Sequence, residues 1–198
     1  MLVHGRTRPL VLLIVVEGRP LLHLCEIKLS RSKKNIGLNI GSTRATRFAD
    51  LPAQWMLKQA QAREDMTVEL VDLRDYNLPM FADMASNANM PTADAGVAVW
   101  QKKLAEFDGY IFVIAEYNHA VSGSLKNAVQ HLRSIAVDLQ SVPLRNSAHI
   151  GSGDFWNAHP AIGGSGSLAD VTDAILPSAR LTLYDVVWWA KATMAARG

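Results

Sequence analysis

The stretch that decides the fold is Phe112-Val113-Ile114-Ala115-Glu116-Tyr117-Asn118-His119, followed after three residues by Gly123-Ser124-Leu125-Lys126-Asn127-Ala128. It opens with an uninterrupted apolar run, which is typical of strands buried on both faces of a sheet. A polar and aromatic loop comes next, and then apolar residues recur at spacings of three and four, as on one face of a helix. This order predicts an open α/β sheet, in which ligands bind just outside the carboxyl ends of the strands.

A second unit of strand, loop and helix lies earlier in the chain. Ile36 to Ile40 is a short apolar run, and Gly41-Ser42-Thr43-Arg44-Ala45-Thr46-Arg47-Phe48 joins it to a helix predicted from about Leu51 to Arg63. Free backbone N–H groups and the helix dipole both favour an anion at a helix N-terminus. Arginine adds bidentate pairing to phosphate oxygens. The loop is therefore predicted to bind phosphate.

The rest of the chain continues the alternation of strand and helix. Strands are predicted at about Asn35–Ile40, Thr67–Leu73 and Tyr110–Ala115, and helices at about 51–63 and 93–107. Because each strand is separated from the next by a helix, the sheet is predicted to be parallel, with helices on both faces. The fold class is therefore α/β, a doubly wound parallel sheet.

Composition excludes several classes of protein. The 198 residues are 49% hydrophobic and 19% charged, with a formal net charge of +2, as in an ordinary globular domain rather than one that binds nucleic acid. Cys25 is the only cysteine, which predicts no disulfide framework and fits a reducing, cytoplasmic compartment. The scattered histidines predict no metal site. No apolar run is long enough to span a membrane.

The two loops resemble those of the NAD(P)H-dependent FMN reductases, a flavodoxin-like family. Members read Gly-Ser-Thr-Arg where this chain has Gly41 to Arg44, and Glu-Tyr-Asn-His where it has Glu116 to His119. The segment Leu78-Pro79-Met80-Phe81, called the rim loop below, resembles a further family segment beside the site. The resemblance covers about Lys34 to Gly198 and implies bound FMN, with NADPH or NADH as the electron donor.

One strand-helix unit of the family is missing from this chain. The apolar stripe keeps helical phase from Leu125 to Leu139, which predicts one continuous helix from about 124 to 140 where the family has the fourth strand. The strand at about 143–150 would then pair with the third strand, giving a four-stranded sheet of order 2-1-3-5 and a flavin site that lacks one wall. Residues 1–33 are expected to be an extension, a β-hairpin or poorly ordered, outside a domain spanning 34–198. A rival hypothesis places the apolar run Leu10 to Val16 in the vacant position.

The resemblance implies a function and a set of site residues. The chain is expected to be an oxidoreductase that passes electrons through FMN to a small-molecule acceptor, such as a quinone, an azo dye or a metal oxyanion. The flavin supplies the chemistry, so no side chain is assigned a catalytic role. A homodimer or higher homo-oligomer is implied. The residues expected to contact the cofactor are Gly41, Ser42, Thr43, Arg44, Arg47, Phe48, Leu78, Pro79, Glu116, Tyr117, Asn118, His119 and Gly123.

Two alternative functions stay open at this stage. The chain could be a flavin-binding electron carrier without turnover of its own. It could also be a regulatory or defective paralogue that lost its cofactor together with the missing strand.

Overall fold

Helices cover both faces of a central sheet in the computed structural model, which describes residues 10–16, 33–82, 92–117, 120–138 and 142–195. The strands are β1 (Leu10–Val16), β2 (Lys34–Ile40), β3 (Met66–Asp72), β4 (Gly109–Ile114), β5 (Glu116–Tyr117), β6 (Ala120–Val121), β7 (Val142–Pro143) and β8 (His149–Ile150). The helices are α1 (Asp50–Gln61), α2 (Ala95–Leu104), α3 (Gly123–Asp138), α4 (Ser152–Ala158) and α5 (Thr172–Ala195). The predicted α/β fold class is confirmed.

The parallel strands β3, β2 and β4 form the part of the sheet that positions the site. Ile40, at the carboxyl end of β2, is in register with Asp72 of β3 and with Val113 of β4. The three strands therefore end at the same edge of the sheet, and the loops that follow them emerge together.

Alternating side chains of β4 divide the core into two layers. Ile111 and Val113 pack with α1 and α5 on one face of the sheet. Tyr110, Phe112 and Ile114 pack with α2 and α3 on the other. All six residues of β4 are buried, which explains why its sequence is continuously apolar instead of alternating.

The predicted strand order 2-1-3-5 is wrong, because β1 separates the third strand from the last. The order in the main sheet is β3-β2-β4-β1-β7, and β8 also pairs with β1. β1 is antiparallel to β4 over the whole length of β4, from Val11 opposite Ile114 to Val16 opposite Gly109. The rival hypothesis for Leu10–Val16 is the one that the structure supports, since the apolar run covers an edge of β4 that would otherwise be unpaired. The other residues of the segment 1–33, except Lys33, lie outside the described residues, so the domain boundary stays a prediction.

The direction of β1 has a consequence for the site. Leu10 lies opposite Ile150, at the edge where β2, β3 and β4 end, and Val16 lies at the opposite edge. A parallel strand in this position would bring a strand-to-helix loop to the site. β1 instead brings its amino end there.

The predicted continuous helix is confirmed from Gly123 to Asp138. Residues 139 and 140, at its predicted end, lie outside the described part of the chain. The predicted last strand is present as two short strands, β7 and β8, separated by residues 144–148.

Deleting residues 1–16 is expected to destabilise the protein, because the deletion exposes the ladder edges of β4 and β8 and removes a strand that pairs on both sides. Thermal melts by circular dichroism would show a fall in melting temperature of several degrees or loss of the folded state. Deletion of residues 1–9 alone leaves β1 in place and is the control. Equal melting temperatures for the two truncations would contradict the structural role of β1.

Candidate functional site

Three loops meet at the edge where the parallel strands end. The glycine-serine loop (residues 41–47) follows β2, the segment 73–82 follows β3, and the tyrosine loop (residues 115–122) follows β4. Gly41 N–H donates to the carbonyl of Val113 at 3.0 Å, so the first loop starts against the end of β4. Hydrogen bonds between the loops, described below, fix their relative positions.

Arg47 is the buried centre of the glycine-serine loop. Its Nε donates to Asp50 at 2.8 Å, Nη1 donates to the Ser42 carbonyl at 2.7 Å and to Asp72 at 2.6 Å, and Nη2 donates to Asp50 and Asp72 at 2.5 Å each. These five contacts use all five N–H donors of a guanidinium group. The Arg47 side chain is only 3% exposed. Arg47 therefore holds the loop to α1 and β3, and no donor is left for a ligand.

The charges in this cluster stabilise one another. Burial alone would raise the pKa of Asp72, but hydrogen bonds from Arg47 and from the Arg74 backbone N–H, with the positive charges of both arginines, lower it below its usual value. Burial alone would lower the pKa of Arg47, but hydrogen bonds and charge from Asp72 and Asp50 raise it. Asp72 and Arg47 therefore each stabilise the charged form of the other.

Gly41 is in close contact with the start of α3. The hydroxyls of Ser122 and Ser124 both donate to its carbonyl, at 2.7 and 3.1 Å. A Cβ added to Gly41 would lie 2.7 Å from Leu125 Cδ2 and 3.1 Å from the Val113 carbonyl oxygen. A side chain at this position would crowd Leu125 and the Val113 carbonyl, so glycine suits this close approach, which brings the first loop against the helix that follows the tyrosine loop.

The exposed part of the glycine-serine loop contacts the tyrosine loop directly. The guanidinium carbon of Arg44 lies 5.6 Å from the centroid of the Tyr117 ring, and Arg44 Nη1 is 3.4 Å from the Tyr117 hydroxyl. Arg74 donates to the carbonyls of Arg44 and Ala45 from the other side. Arg44, unlike Arg47, is exposed, with its charge facing solvent beside an aromatic ring.

Two side chains of α3 hold the rim loop. Asn127 accepts from the Phe81 N–H at 2.9 Å and donates to the Pro79 carbonyl at 2.8 Å. His131 Nε2 lies 2.9 Å from the same carbonyl. The rim loop is therefore attached to the helix that begins beside Gly41.

The Ser42 hydroxyl is a buried polar atom that finds no hydrogen-bond partner among the described residues. Leaving a buried hydroxyl unpaired is unfavourable by about 1–3 kcal/mol, so such groups usually have a partner when the site is complete. Ser42, exposed Thr43 and exposed Arg44 are consecutive at the carboxyl end of β2. A hydroxyl without a partner, a second hydroxyl and a solvent-facing guanidinium fit a phosphate group.

The other residues that are predicted to contact the cofactor lie in several different parts of the structure. Phe48 is 7% exposed and packs below the loop, with its ring centroid 4.8 Å from that of Phe155. Gly123 is exposed, and an added Cβ would meet nothing within 4 Å, so the turn itself does not require glycine. Leu78 is half-buried against the α2/α3 layer, and Pro79 is exposed. Glu116 and Tyr117 form the short strand β5. Asn118 and His119 lie outside the described residues.

Metal-ligating side chains do not cluster in the described parts of the chain: no three His, Cys, Asp or Glu residues there could hold one ion. None of the helices seen in those parts is long and apolar enough to span a bilayer.

Comparison with known proteins gives the family. The family model for NADPH-dependent FMN reductases matches residues 35–151, which is more than half of the chain and includes all three loops. The chain belongs to this family. The resemblance inferred from the loops is thus confirmed, and the fold class with it.

Two curated relatives of the family are similar to part of the chain. The NAD(P)H-dependent FMN reductase ntnL of Nectria sp is 32% identical over 103 residues, which cover 49% of this chain and 51% of that protein. The NAD(P)H-dependent FMN reductase C4B3.06c of Schizosaccharomyces pombe is 30% identical over 111 residues, covering 53% and 54%. The chain thus spans about half the length of the curated relatives it matches.

Sequence reasoning missed Asp50, Asp72 and His131 as residues that organise the site. Asp72 had a signal, because it ends β3 at the same edge as the glycine-serine loop and carries the charge that a buried arginine needs. The signal for His131 was weaker. His131 lies four residues after Asn127 on a predicted helix, and residues at this spacing share one face.

The Asp72→Asn variant is expected to unfold more easily at neutral pH, because it leaves the buried Arg47 with only one carboxylate. The expected loss is about 1.5–3 kcal/mol, the range for a hydrogen bond to a charged group. The pKa of Asp72 is lower in the folded than in the unfolded protein, so its contribution is present above about pH 4 and is lost as the pH falls through the folded-state pKa. Urea unfolding of parent and variant should therefore differ at pH 7 and converge in acid. A pH-independent difference would show that the charge of Asp72 is not what stabilises the cluster.

Proposed function

We propose that this protein is an NAD(P)H-dependent FMN oxidoreductase that binds FMN across the glycine-serine and tyrosine loops. The observation that carries the proposal is the contact between Arg44 and Tyr117. It joins a cation beside a hydroxyl without a partner, suited to phosphate, to an aromatic ring in the loop that the resemblance assigns to the isoalloxazine. Membership of the FMN reductase family supports the same assignment.

Ser42, Thr43 and Arg44 would hold the phosphate. A phosphate oxygen would give the buried Ser42 hydroxyl its missing acceptor. Arg44 is exposed and can turn from Tyr117 to pair with the anion. Arg47, named with these residues from the sequence, has its donors bonded to Asp50, Asp72 and the Ser42 carbonyl, so its part is to hold the loop in shape. Phe48 would support the loop in the same way.

The segment 116–119 would lie against the flavin ring, with Tyr117 in contact with it and Asn118 presented to its pyrimidine edge. The surface at Gly123, beside the start of α3, is open to solvent. The rim loop, which contains Leu78 and Pro79, would lie at the border of the site. When bound, FMN supplies the redox chemistry, accepting a hydride from reduced nicotinamide and passing electrons to an acceptor. The protein's part is to bind the FMN, to orient it and to shield it from solvent.

A quinone, an azo dye or a metal oxyanion is the proposed electron acceptor. The proposed oligomeric state is a homodimer, and the proposed compartment is the cytoplasm. Because β1 brings no strand-to-helix loop to the site, we expect a more exposed flavin and weaker FMN binding than is usual in the family.

Two measurements test the proposed function. The purified protein should bind FMN and gain the visible absorbance of protein-bound flavin. With FMN bound, it should oxidise NADPH or NADH when a quinone is present. Flavin binding without nicotinamide oxidation would indicate an electron carrier, and failure to bind flavin would indicate a paralogue without cofactor.

The Arg44→Ala variant is expected to bind FMN roughly 10- to 100-fold more weakly, because one charge-assisted hydrogen bond to phosphate is worth about 1.5–3 kcal/mol. Riboflavin, which lacks the phosphate, should bind variant and parent alike, and the melting temperature should not change, because Arg44 is exposed. Arg47→Ala is the comparison: it should lower the melting temperature and weaken both flavins. If Arg44→Ala left the FMN titration unchanged, the phosphate assignment would be wrong.

A further inference from the structure

One face of α3 carries three polar side chains that all contact the site loops. Ser124, Asn127 and His131 are spaced by three and four residues, so they lie on one side of the helix. Ser124 donates to the Gly41 carbonyl, at the start of the glycine-serine loop. Asn127 and His131 contact the rim loop, about one and two turns further along the helix. A single rigid helix thus sets the distance between the two loops.

Asn127 and His131 both contact the rim loop at Pro79 and at Phe81. The amide of Asn127 bonds both the Pro79 carbonyl and the Phe81 N–H, as a neighbouring strand would. The ring of His131 meets the ring of Phe81 edge to face, with centroids 5.3 Å apart. Met80, between the two fixed residues, is 80% exposed. The backbone of the loop is therefore held on both sides of a side chain that faces solvent.

His131 is buried for this contact. It is 2% exposed, and because a carbonyl can only accept, Nε2 carries the proton that bonds to Pro79. The other ring nitrogen, Nδ1, is buried and finds no partner among the described residues. The helix backbone at this point is held in turn by Gln101, which donates to the His131 carbonyl at 3.1 Å. An unpaired buried nitrogen is unfavourable, and the hydrogen bond to Pro79 and the ring contact with Phe81 offset part of that cost.

We propose that Asn127 and His131 are positioning residues that fix the rim loop, and that through this loop they control binding of the nicotinamide and the acceptor more than binding of FMN. The proposal rests on the proposed function. Its physical basis is that FMN affinity depends on the phosphate, which is bound at the other end of the α3 face. The second substrate must enter past the border of the site, where the rim loop lies.

The test compares variants that remove one hydrogen bond each. Asn127→Asp keeps the acceptor for the Phe81 N–H but places a second oxygen against the Pro79 carbonyl. His131→Leu removes the Nε2 donor, whereas His131→Gln keeps an N–H at a similar distance from the backbone. Val129→Ala, on the same helix at a 40% exposed side chain, is the control.

Two readouts separate positioning from mere stability. Steady-state kinetics with NADPH and a quinone should show Michaelis constants raised roughly 2- to 10-fold in Asn127→Asp and His131→Leu, the equivalent of one hydrogen bond. The FMN dissociation constant should stay within twofold of the parent. His131→Gln should restore the parent values. In the flavin-free protein, hydrogen exchange of the Phe81 amide should be faster in His131→Leu and unchanged in Val129→Ala.

The possible failures are distinguishable. Absence of turnover in the FMN-loaded parent protein would count against the proposed function. Turnover in the parent together with unchanged Michaelis constants in Asn127→Asp and His131→Leu would overturn the positioning role alone. A loss of FMN affinity in these two variants as large as the rise in their Michaelis constants would also overturn the positioning role. The effect of the substitutions would then be on the whole site.

Discussion

The buried guanidinium of Arg47 is the constraint on which the candidate site depends. It joins Asp50 at the start of α1, Asp72 at the end of β3 and the Ser42 carbonyl in the loop between β2 and α1. A buried arginine without its carboxylates would be strongly unfavourable, so the three elements have one arrangement that satisfies the charge. That arrangement leaves Arg44, three residues earlier, exposed beside Tyr117. The loop thus contains one arginine that is buried and fully hydrogen-bonded and one that is exposed to solvent.

The second organising element is α3, which contacts both the glycine-serine loop and the rim loop. The helix starts at Gly123 beside the tyrosine loop, bonds the Gly41 carbonyl through Ser122 and Ser124, and reaches the rim loop through Asn127 and His131. It then continues to Asp138. β1 lies between β4 and β7 in the sheet and runs antiparallel to both. Its amino end therefore lies at the edge where the site loops emerge.

The sequence was sufficient for local features and insufficient for long-range partners. The strands β2, β3 and β4 and the continuous helix α3 follow from apolar runs and helical periodicity, which are local signals. The partner of Leu10–Val16 does not, because a continuous apolar strand fits either direction and several neighbours in a sheet. The carboxylate partners of Arg47 are hard to predict for a similar reason, since Asp72 lies 25 residues away along the chain. The sequence of the glycine-serine loop shows that an arginine is present, but it does not show which carboxylate pairs with that arginine.

A crystal structure of the complex with FMN tests the central claim most directly. The account predicts phosphate oxygens within hydrogen-bonding distance of the Ser42 hydroxyl and the Arg44 guanidinium, with the flavin ring against residues 116–119. It also predicts that Arg47 keeps its bonds to Asp50 and Asp72. A phosphate bound by an Arg47 that has left Asp72, or a ring seated away from the tyrosine loop, would contradict it.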